Sequence, residues 1–392
     1  MYNRRRVFAA ACGGMFLFGI VMISLGSLLP ALTSKFALSE VAAGSLASLL
    51  PFGILAGSLV FGPVVDRYGY KMLLVVCTLL VFLSLEGIAF TQAFLLLQAS
   101  VFVIGFGGGV LNGATNALVA DISANGRSAG LSLLGVFFGI GALGMPAVLG
   151  LLSRTVTRET TIAGIGVAVL LVALFFLTTR FPSPKQAQGF PLSKGISLVR
   201  NPTLLLFGFI LFFESGMEGM VNNWTTTFLQ RGLDASAENA LFALSCSVAG
   251  LTIARLFLGR LLKTFSMWSA LFVSIGLILI GGVLLLSAST YAAALVALVL
   301  LGIGFAAVFP VILGAIGDIY AGFSGTAFSI ALVIALVGNM MLNYLVGIIA
   351  QLHGIGSFPV IVLASLGIMF LLMLAARQKV SPMHAHSHAI ED

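Results

Sequence analysis

The stretch "VIGFGGGVLNGATNALVADI" (103–122) has a counterpart in "LLGIGFAAVFPVILGAIGDI" (300–319). Both are apolar and glycine-bearing, and both end on an aspartate followed by isoleucine. The two aspartates, Asp121 and Asp318, are 197 positions apart, 318 minus 121. The same offset relates Gly62 to Gly259, Gly105 to Gly302, Ser132 to Ser329, Gly141 to Gly338 and Gly150 to Gly347. It also relates Ser39 to Ser236, each placed to open a helix after a short loop. The chain reads as one unit duplicated with almost no insertion. In a membrane chain such a repeat points to a transporter with its site between the halves.

Composition sets the solvent. Hydrophobic residues make up 60% of the 392 and charged residues only 8%, against about 25% charged in soluble domains. Apolar runs long enough to cross a bilayer, roughly 20 residues, recur along the chain. They predict helices over 8–32, 41–63, 71–90, 93–120, 127–152 and 159–179, then over 201–229, 237–262, 267–287, 291–318, 322–351 and 355–376. Continuous rather than alternating apolar runs exclude a β-barrel. The expected fold is an all-α membrane protein of twelve spans in two pseudo-symmetric six-helix bundles. The expected units are 1–180, a cytoplasmic linker 181–200, a second bundle 201–378, and a disordered tail 379–392. The linker "FPSPKQAQGFPLSKGISLVR" is basic and rich in Pro, Gly and Ser.

Charge placement orients the spans. One side carries Arg4, Arg5, Arg6, Arg67, Lys71, Arg127, Arg180, Lys185, Lys194, Arg200, Arg260, Lys263, Arg377 and Lys379. The other carries only Lys35, Arg154, Arg158 and Arg231. The positive-inside rule then puts both termini in the cytoplasm of a cell or inner membrane. The net charge of +7 is this belt, and no nucleic-acid partner is expected. The basic "MYNRRR" precedes an apolar run too long for a cleaved signal. Cys12, Cys77 and Cys246 lack metal spacing, so no disulfide, metal or cofactor is expected. The tail histidines His384, His386 and His388 read as solvated.

Between the second and third spans lies "GPVVDRYGYK" (62–71). Gly62, Asp66, Arg67, Gly69 and Lys71 in this order resemble the signature of the major facilitator superfamily. The resemblance covers the twelve spans, the two halves and the central loop. It implies alternating access, a monomeric protein, and a gating role for these five residues at the cytoplasmic helix ends. The second copy, "GRLLKTF" (259–265), keeps Gly259 but has Lys263 where the acid would stand. "LNGATNALV" (111–119) and "ESGMEGMVNNWTTTFL" (214–229) further resemble the fucose/glucose/galactose permease branch, which implies a sugar and proton symport. The first span, "AACGGMFLFGIVMISLGSLLPAL" (10–32), departs from that branch by carrying no acid, and Asn112 stands where a proton-carrying glutamate is expected.

Polar groups at membrane depth are costly and mark function. Glu214 and Glu218 are four residues apart on one helix face. Two carboxylates one turn apart in low dielectric resist joint ionisation, so the pair can hold a proton. Asn222 extends this stripe, Asn223 adjoins it, and Trp224 can stack on a sugar or sit in the interfacial belt. Asn112 and Asn116 on the fourth span, with Asn339 and Asn343 on the eleventh, offer amides to hydroxyls. These nine residues form the expected substrate site, with Glu214, Glu218 and Glu86 as proton-coupling candidates. Asp121, Arg127, Arg255 and Asp318 are assigned with the signature residues to gating. The expected activity is transport of a small polar solute, a monosaccharide, with or without protons. The competing reading is a drug or metabolite exporter of the same fold. An enzyme is not expected: His353 is the only histidine before the tail, and a catalyst needs a convergent set.

Overall fold

The protein is described by a computed structural model that covers residues 2–122, 127–182, 198–262, 264–320 and 324–388. Among the described residues there are twelve long helices: α1 (Arg4–Lys35), α2 (Glu40–Tyr68), α3 (Tyr70–Phe90), α4 (Phe94–Ile122), α5 (Arg127–Leu152), α6 (Arg158–Thr178), α7 (Pro202–Gly232), α8 (Ala237–Leu261), α9 (Met267–Leu286), α10 (Tyr291–Ile319), α11 (Ser324–His353) and α12 (Phe358–His388). Each contains a segment long and apolar enough to cross a membrane. The chain is an all-helical, multi-pass membrane protein.

Short polar caps set the starts. The Ser39 hydroxyl accepts from the Ala42 amide and the Ser236 hydroxyl from the Asn239 amide, so the repeat offset holds for both cap and partner. Asn3 and Asn201 cap α1 and α7 in the same manner. Uncapped amides at these ends would otherwise go unpaired. α2 and α3 are separated by Gly69 alone, at φ +78, a left-handed conformation that glycine adopts without strain.

Several expected ends shift. α1 starts at Arg4 and reaches Lys35, and α7 runs to Gly232. α11 stops before Gly354, whose φ is +81, and a 3-10 turn over Ile355–Ser357 precedes α12. α12 continues to His388, past the expected end at 376 and into the segment expected to be disordered. Ala375, Ala376, Arg377, Gln378 and Lys379 favour helix and carry it past 376; the propensities give no account of the turns beyond them, which include Pro382. Residues 183–197 and 389–392 lie outside the described residues, as do Lys263 and the side chains of Gly62, Asp66, Asp121, Arg127, His384, His386 and His388.

In lipid, helices gain little from burying apolar surface against one another and rely on close packing at small residues. The repeat is visible at this level. A Cβ on Gly105 of α4 would stand 2.4 Å from the Leu50 carbonyl oxygen of α2. Its counterpart on Gly302 of α10 would stand 2.1 Å from the Ser247 carbonyl oxygen of α8. Leu50 and Ser247 are themselves 197 apart. Each half thus packs its equivalent helices through equivalent glycines. The outer faces of α3, α6 and α9 expose Leu83, Leu171 and Ile280, as helices bordering lipid do.

The halves meet along three seams, α1 with α7, α2 with α11, and α5 with α8. A Cβ on Gly26 of α1 would fall 1.8 Å from the Asn222 carbonyl oxygen of α7. Thr226 donates to the Gly26 carbonyl at 2.5 Å. On the second seam Gly44 faces Gly347, Ser48 donates to the Met340 carbonyl at 2.8 Å, and the Val41 amide donates to Gln351 Oε1. Glu40 forms an ion pair with Arg231, and Glu238 pairs with Arg154 at 2.6 Å. All these joins lie between mid-depth and the face opposite the termini. On that face the protein is closed.

Gly26→Ala is expected to leave each half folded while forcing α1 from α7. Thiol labelling of Ser48→Cys in a cysteine-free background, applied from the face opposite the termini, should speed up at least about tenfold. Unchanged labelling would show that the Gly26 contact does not hold the seam.

Candidate functional site

Helix α7 carries most of the chemistry. It touches α1, α8, α10, α11 and α12, so most of its polar residues end inside protein. Glu214 is fully buried, and neither carboxyl oxygen has a hydrogen-bond partner in the protein. Its electrostatic neighbours are Glu218 and Arg255. Glu218, one turn on, accepts from Arg255 Nη2 of α8 at 3.3 Å. The Arg255 side chain is 31% exposed and that of Glu218 17%. Arg255 Nε also points to the Ala306 carbonyl of α10, at 3.4 Å. The sequence suggests a gate position for Arg255; the fold places it against Glu218, one turn from Glu214.

A chain of amides runs along the other side of α7. Asn339 Nδ2 of α11 donates to the Ser215 carbonyl at 2.9 Å. Asn343 Nδ2 donates to the Asn339 carbonyl at 2.8 Å and to its Oδ1 at 2.9 Å. Asn223 Nδ2 of α7 donates in turn to Asn343 Oδ1 at 3.1 Å. Asn339 approaches so closely because Gly219 offers no side chain: a Cβ there would stand 2.4 Å from the amide. Asn223, Asn339 and Asn343 are buried. Asn223 Oδ1, Trp224 Nε1 and the hydroxyls of Thr225 and Thr227 are left without partners. Trp224 is fully buried, which removes it from the interfacial belt. Asn222 contributes its carbonyl to the Gly26 contact.

The N-terminal half supplies a separate pair. Asn116 Nδ2 donates to the Asn112 carbonyl and to its Oδ1, both at 2.9 Å. Both residues are partly exposed. Their side-chain bonds stay within α4 and do not reach α7. Glu86 lies apart on α3, its Oε1 buried without a partner where a Cβ on Gly166 of α6 would meet it at 2.4 Å. Of the expected gate, Gly69 makes the α2–α3 turn, Arg67 lies over the Tyr68 ring at 5.3 Å, and Lys71 and Asp318 are exposed. Among the described residues no three His, Cys, Asp or Glu side chains converge as a metal site.

Sequence reading missed Ser215, Ser48, Thr226 and the pairs Glu40–Arg231 and Arg154–Glu238. Hydroxyls on apolar helices are common, so Ser215 gave no signal. The acids did: Glu40 and Glu238 lie in the first turns after the two capping serines that the repeat aligns.

Known proteins share this architecture. The family model described as Major Facilitator Superfamily matches residues 11–320, and the chain belongs to that superfamily of transporters. No curated protein matches the sequence significantly. Among solved structures it is similar to a point mutant of the nucleoside transporter NupG, with a TM-score of 0.80 at 15% identity over 96% of this chain and 99% of the other. It is similar to a D-xylose-proton symporter at 0.76 and 18% identity, over 94% and 96%. It also resembles a bacterial homologue of the human lysosomal transporter Spinster, inward-facing and unoccupied, at 0.76 and 16%, over 95% and 97%. These likenesses establish the fold.

The Glu218–Arg255 pair makes a double-mutant prediction. Arg255→Gln leaves the largely buried Glu218 without its partner inside the bundle. It should lower thermal stability more than the double change Glu218→Gln with Arg255→Gln does. The coupling should be about 1 kcal/mol, the partly exposed arginine keeping it below the value for a fully buried pair. Additive losses in detergent melting curves would mean the two side chains do not interact.

Proposed function

We propose that the chain is a proton-linked transporter of a small, neutral, hydroxyl-rich solute, a monosaccharide of hexose or fucose type, working by alternating access. The observation that carries this reading is Glu214: a fully buried carboxyl with no partner, one turn from the Glu218–Arg255 pair. An unpaired carboxylate at this depth costs several kcal/mol unless it holds a proton. Glu214 is therefore the proton-bearing group, and Glu218, held by Arg255, the charged one. Release of the Glu214 proton to water leaves a second carboxylate on α7 beside Arg255, which couples the charge state of α7 to its contacts with α8.

Substrate recognition falls to the amides. Asn339, Asn343 and Asn223 form a preset donor and acceptor chain on α7 and α11, and Asn112 and Asn116 provide a partly exposed pair on α4. Neutral amides suit hydroxyls because each can donate and accept. Trp224 backs the α7 wall.

The basic face is cytoplasmic in this reading, so the closed seams lie outside and the protein is inward-facing. Opening the outer face parts Gly26 from Asn222 and frees the stretch Asn223–Thr227. Polar atoms there that now lack partners then line the outer vestibule. Gly62, Asp66, Arg67, Gly69 and Lys71, with Asp121, Arg127 and Asp318, close the inner side in that state.

Arg255 favours one second reading. A partly exposed guanidinium beside the site can bind a carboxylate or phosphate group, as an exporter of an anionic metabolite would require.

Hexose uptake into proteoliposomes tests the proposal. Accumulation should require an inward proton gradient and should lose its pH dependence in Glu214→Gln and Glu218→Gln, while exchange between pre-loaded and external sugar survives. A mutant that keeps the wild-type pH profile would remove that glutamate from coupling. Asn112→Ala with Asn116→Ala should raise the sugar Kd about tenfold or more, two lost amide contacts at about 1 kcal/mol each. Unchanged Kd would remove α4 from the site, and absence of hexose uptake in every condition favours the exporter.

A further inference from the structure

On the face opposite the termini, outside the central site, a cleft of about 210 Å³ opens between α1, α3 and α6. Its floor is apolar and buried: Leu28, Leu32, Ile88 and Ile162. Its rim is charged, formed by Lys35, Arg158 and Glu159. The flanks belong to helices that expose aliphatic and aromatic side chains outward, among them Leu83 and Phe90 on α3 and Leu171 on α6. The cleft lies where α1 and α3 end and α6 begins, and the ends of spans of this length fall near the headgroups of a bilayer.

The cations of this face divide in two. Arg154 and Arg231 are each held by a glutamate across the halves. Among the described residues Lys35 and Arg158 have no ion-pair partner, and both line this cleft. Lys35 uses one donor on the Ala89 carbonyl at 3.2 Å, and its ammonium lies over the Phe36 ring at 5.6 Å. That bond anchors the side chain at the end of α3 and leaves two donors free. The two cations share this cleft with one carboxylate, Glu159, which offsets only one of them. With Glu159 included, the rim carries a net charge of +1, two cations less one anion. That balances one negative charge, as a phosphodiester bears, better than the higher charge of a free phosphate.

We propose that this cleft holds the phosphodiester headgroup of a phospholipid, with Lys35 and Arg158 on the phosphate and the acyl chains running down the apolar flank of α3 and α6. The ligand chemistry is a singly charged phosphate attached to a hydrocarbon tail. Each cation near a lipid phosphate contributes about 1 kcal/mol, or roughly fivefold in affinity.

Native mass spectrometry of the full-length protein in detergent tests this, with three probes: phosphatidylglycerol, diacylglycerol of the same chains, and inorganic phosphate. Wild type and the Lys379→Ala control, an exposed cation on the other face, should retain phosphatidylglycerol equally. Lys35→Ala with Arg158→Ala should retain it about twenty-five-fold less, fivefold for each cation, while Lys35→Arg should keep it. Both substituted side chains are exposed, and matching melting temperatures would confirm folding. Equal retention by the double variant overturns the site. Equal retention of diacylglycerol reduces the cleft to an apolar groove and overturns the headgroup assignment. Displacement of phosphatidylglycerol by millimolar inorganic phosphate makes it a free-anion site and overturns the lipid.

Discussion

Gly26 of α1 meets the carbonyl of Asn222 on α7 at a distance that admits no side chain. The closed form of the molecule depends on this contact. With α1 seated there, Thr226 reaches the Gly26 carbonyl, α2 lies against α11 through Gly44 and Gly347, and the charged ends of the seams come within reach of each other. The physical cause is the solvent. Lipid offers helices no hydrophobic reason to associate, so van der Waals contact at glycines and hydrogen bonds to exposed carbonyls carry the association. A seam made this way is all or none. A Cβ or a small tilt removes the whole set of contacts together.

The same solvent explains the polar arrangement inside. α7 is flanked by five helices, so it can carry Glu214, Glu218, Asn223, Trp224 and three threonines without presenting them to hydrocarbon. The amide chain through Asn339 and Asn343 satisfies donors first and leaves Asn223 Oδ1 open. Arg255 neutralises Glu218, and Glu214 remains alone. The cluster is therefore unevenly satisfied. Its hydrogen-bonded part fixes α7 to α11, and its unsatisfied part adjoins the seams between the halves. In the N-terminal half the comparable pair, Asn112 and Asn116, is bonded within one helix, so the repeat that built equivalent backbones did not build equivalent sites.

Much of the fold was legible because membrane insertion imposes length and polarity on each span independently of its neighbours. Twelve spans follow from apolar runs alone, and the 197-residue offset aligned the two helix-opening serines and the glycines; the cap partners and the contacts those glycines make repeat at the same offset in the structure. Boundaries slipped where water-facing turns extend a helix beyond the hydrocarbon, as at α1, α7 and above all α12, because hydropathy does not register them. Glu214 and Glu218 stood out because acids in apolar runs are rare. Arg255 stood out too, and its position along α8 suggested a gate. Only the angle at which α8 lies against α7 brought it to Glu218.

The sequence by itself determined the class of solvent, the number of spans, the duplication, and which buried groups are chemically unusual. These follow from local composition and spacing, which the bilayer reads one helix at a time. Tertiary structure alone decided which residues meet: Asn223 with Asn343, Arg255 with Glu218, and Gly26 with Asn222. Such pairings depend on the rotation and tilt of one helix against another, and those are set by contacts between residues far apart in the chain, which no local pattern encodes.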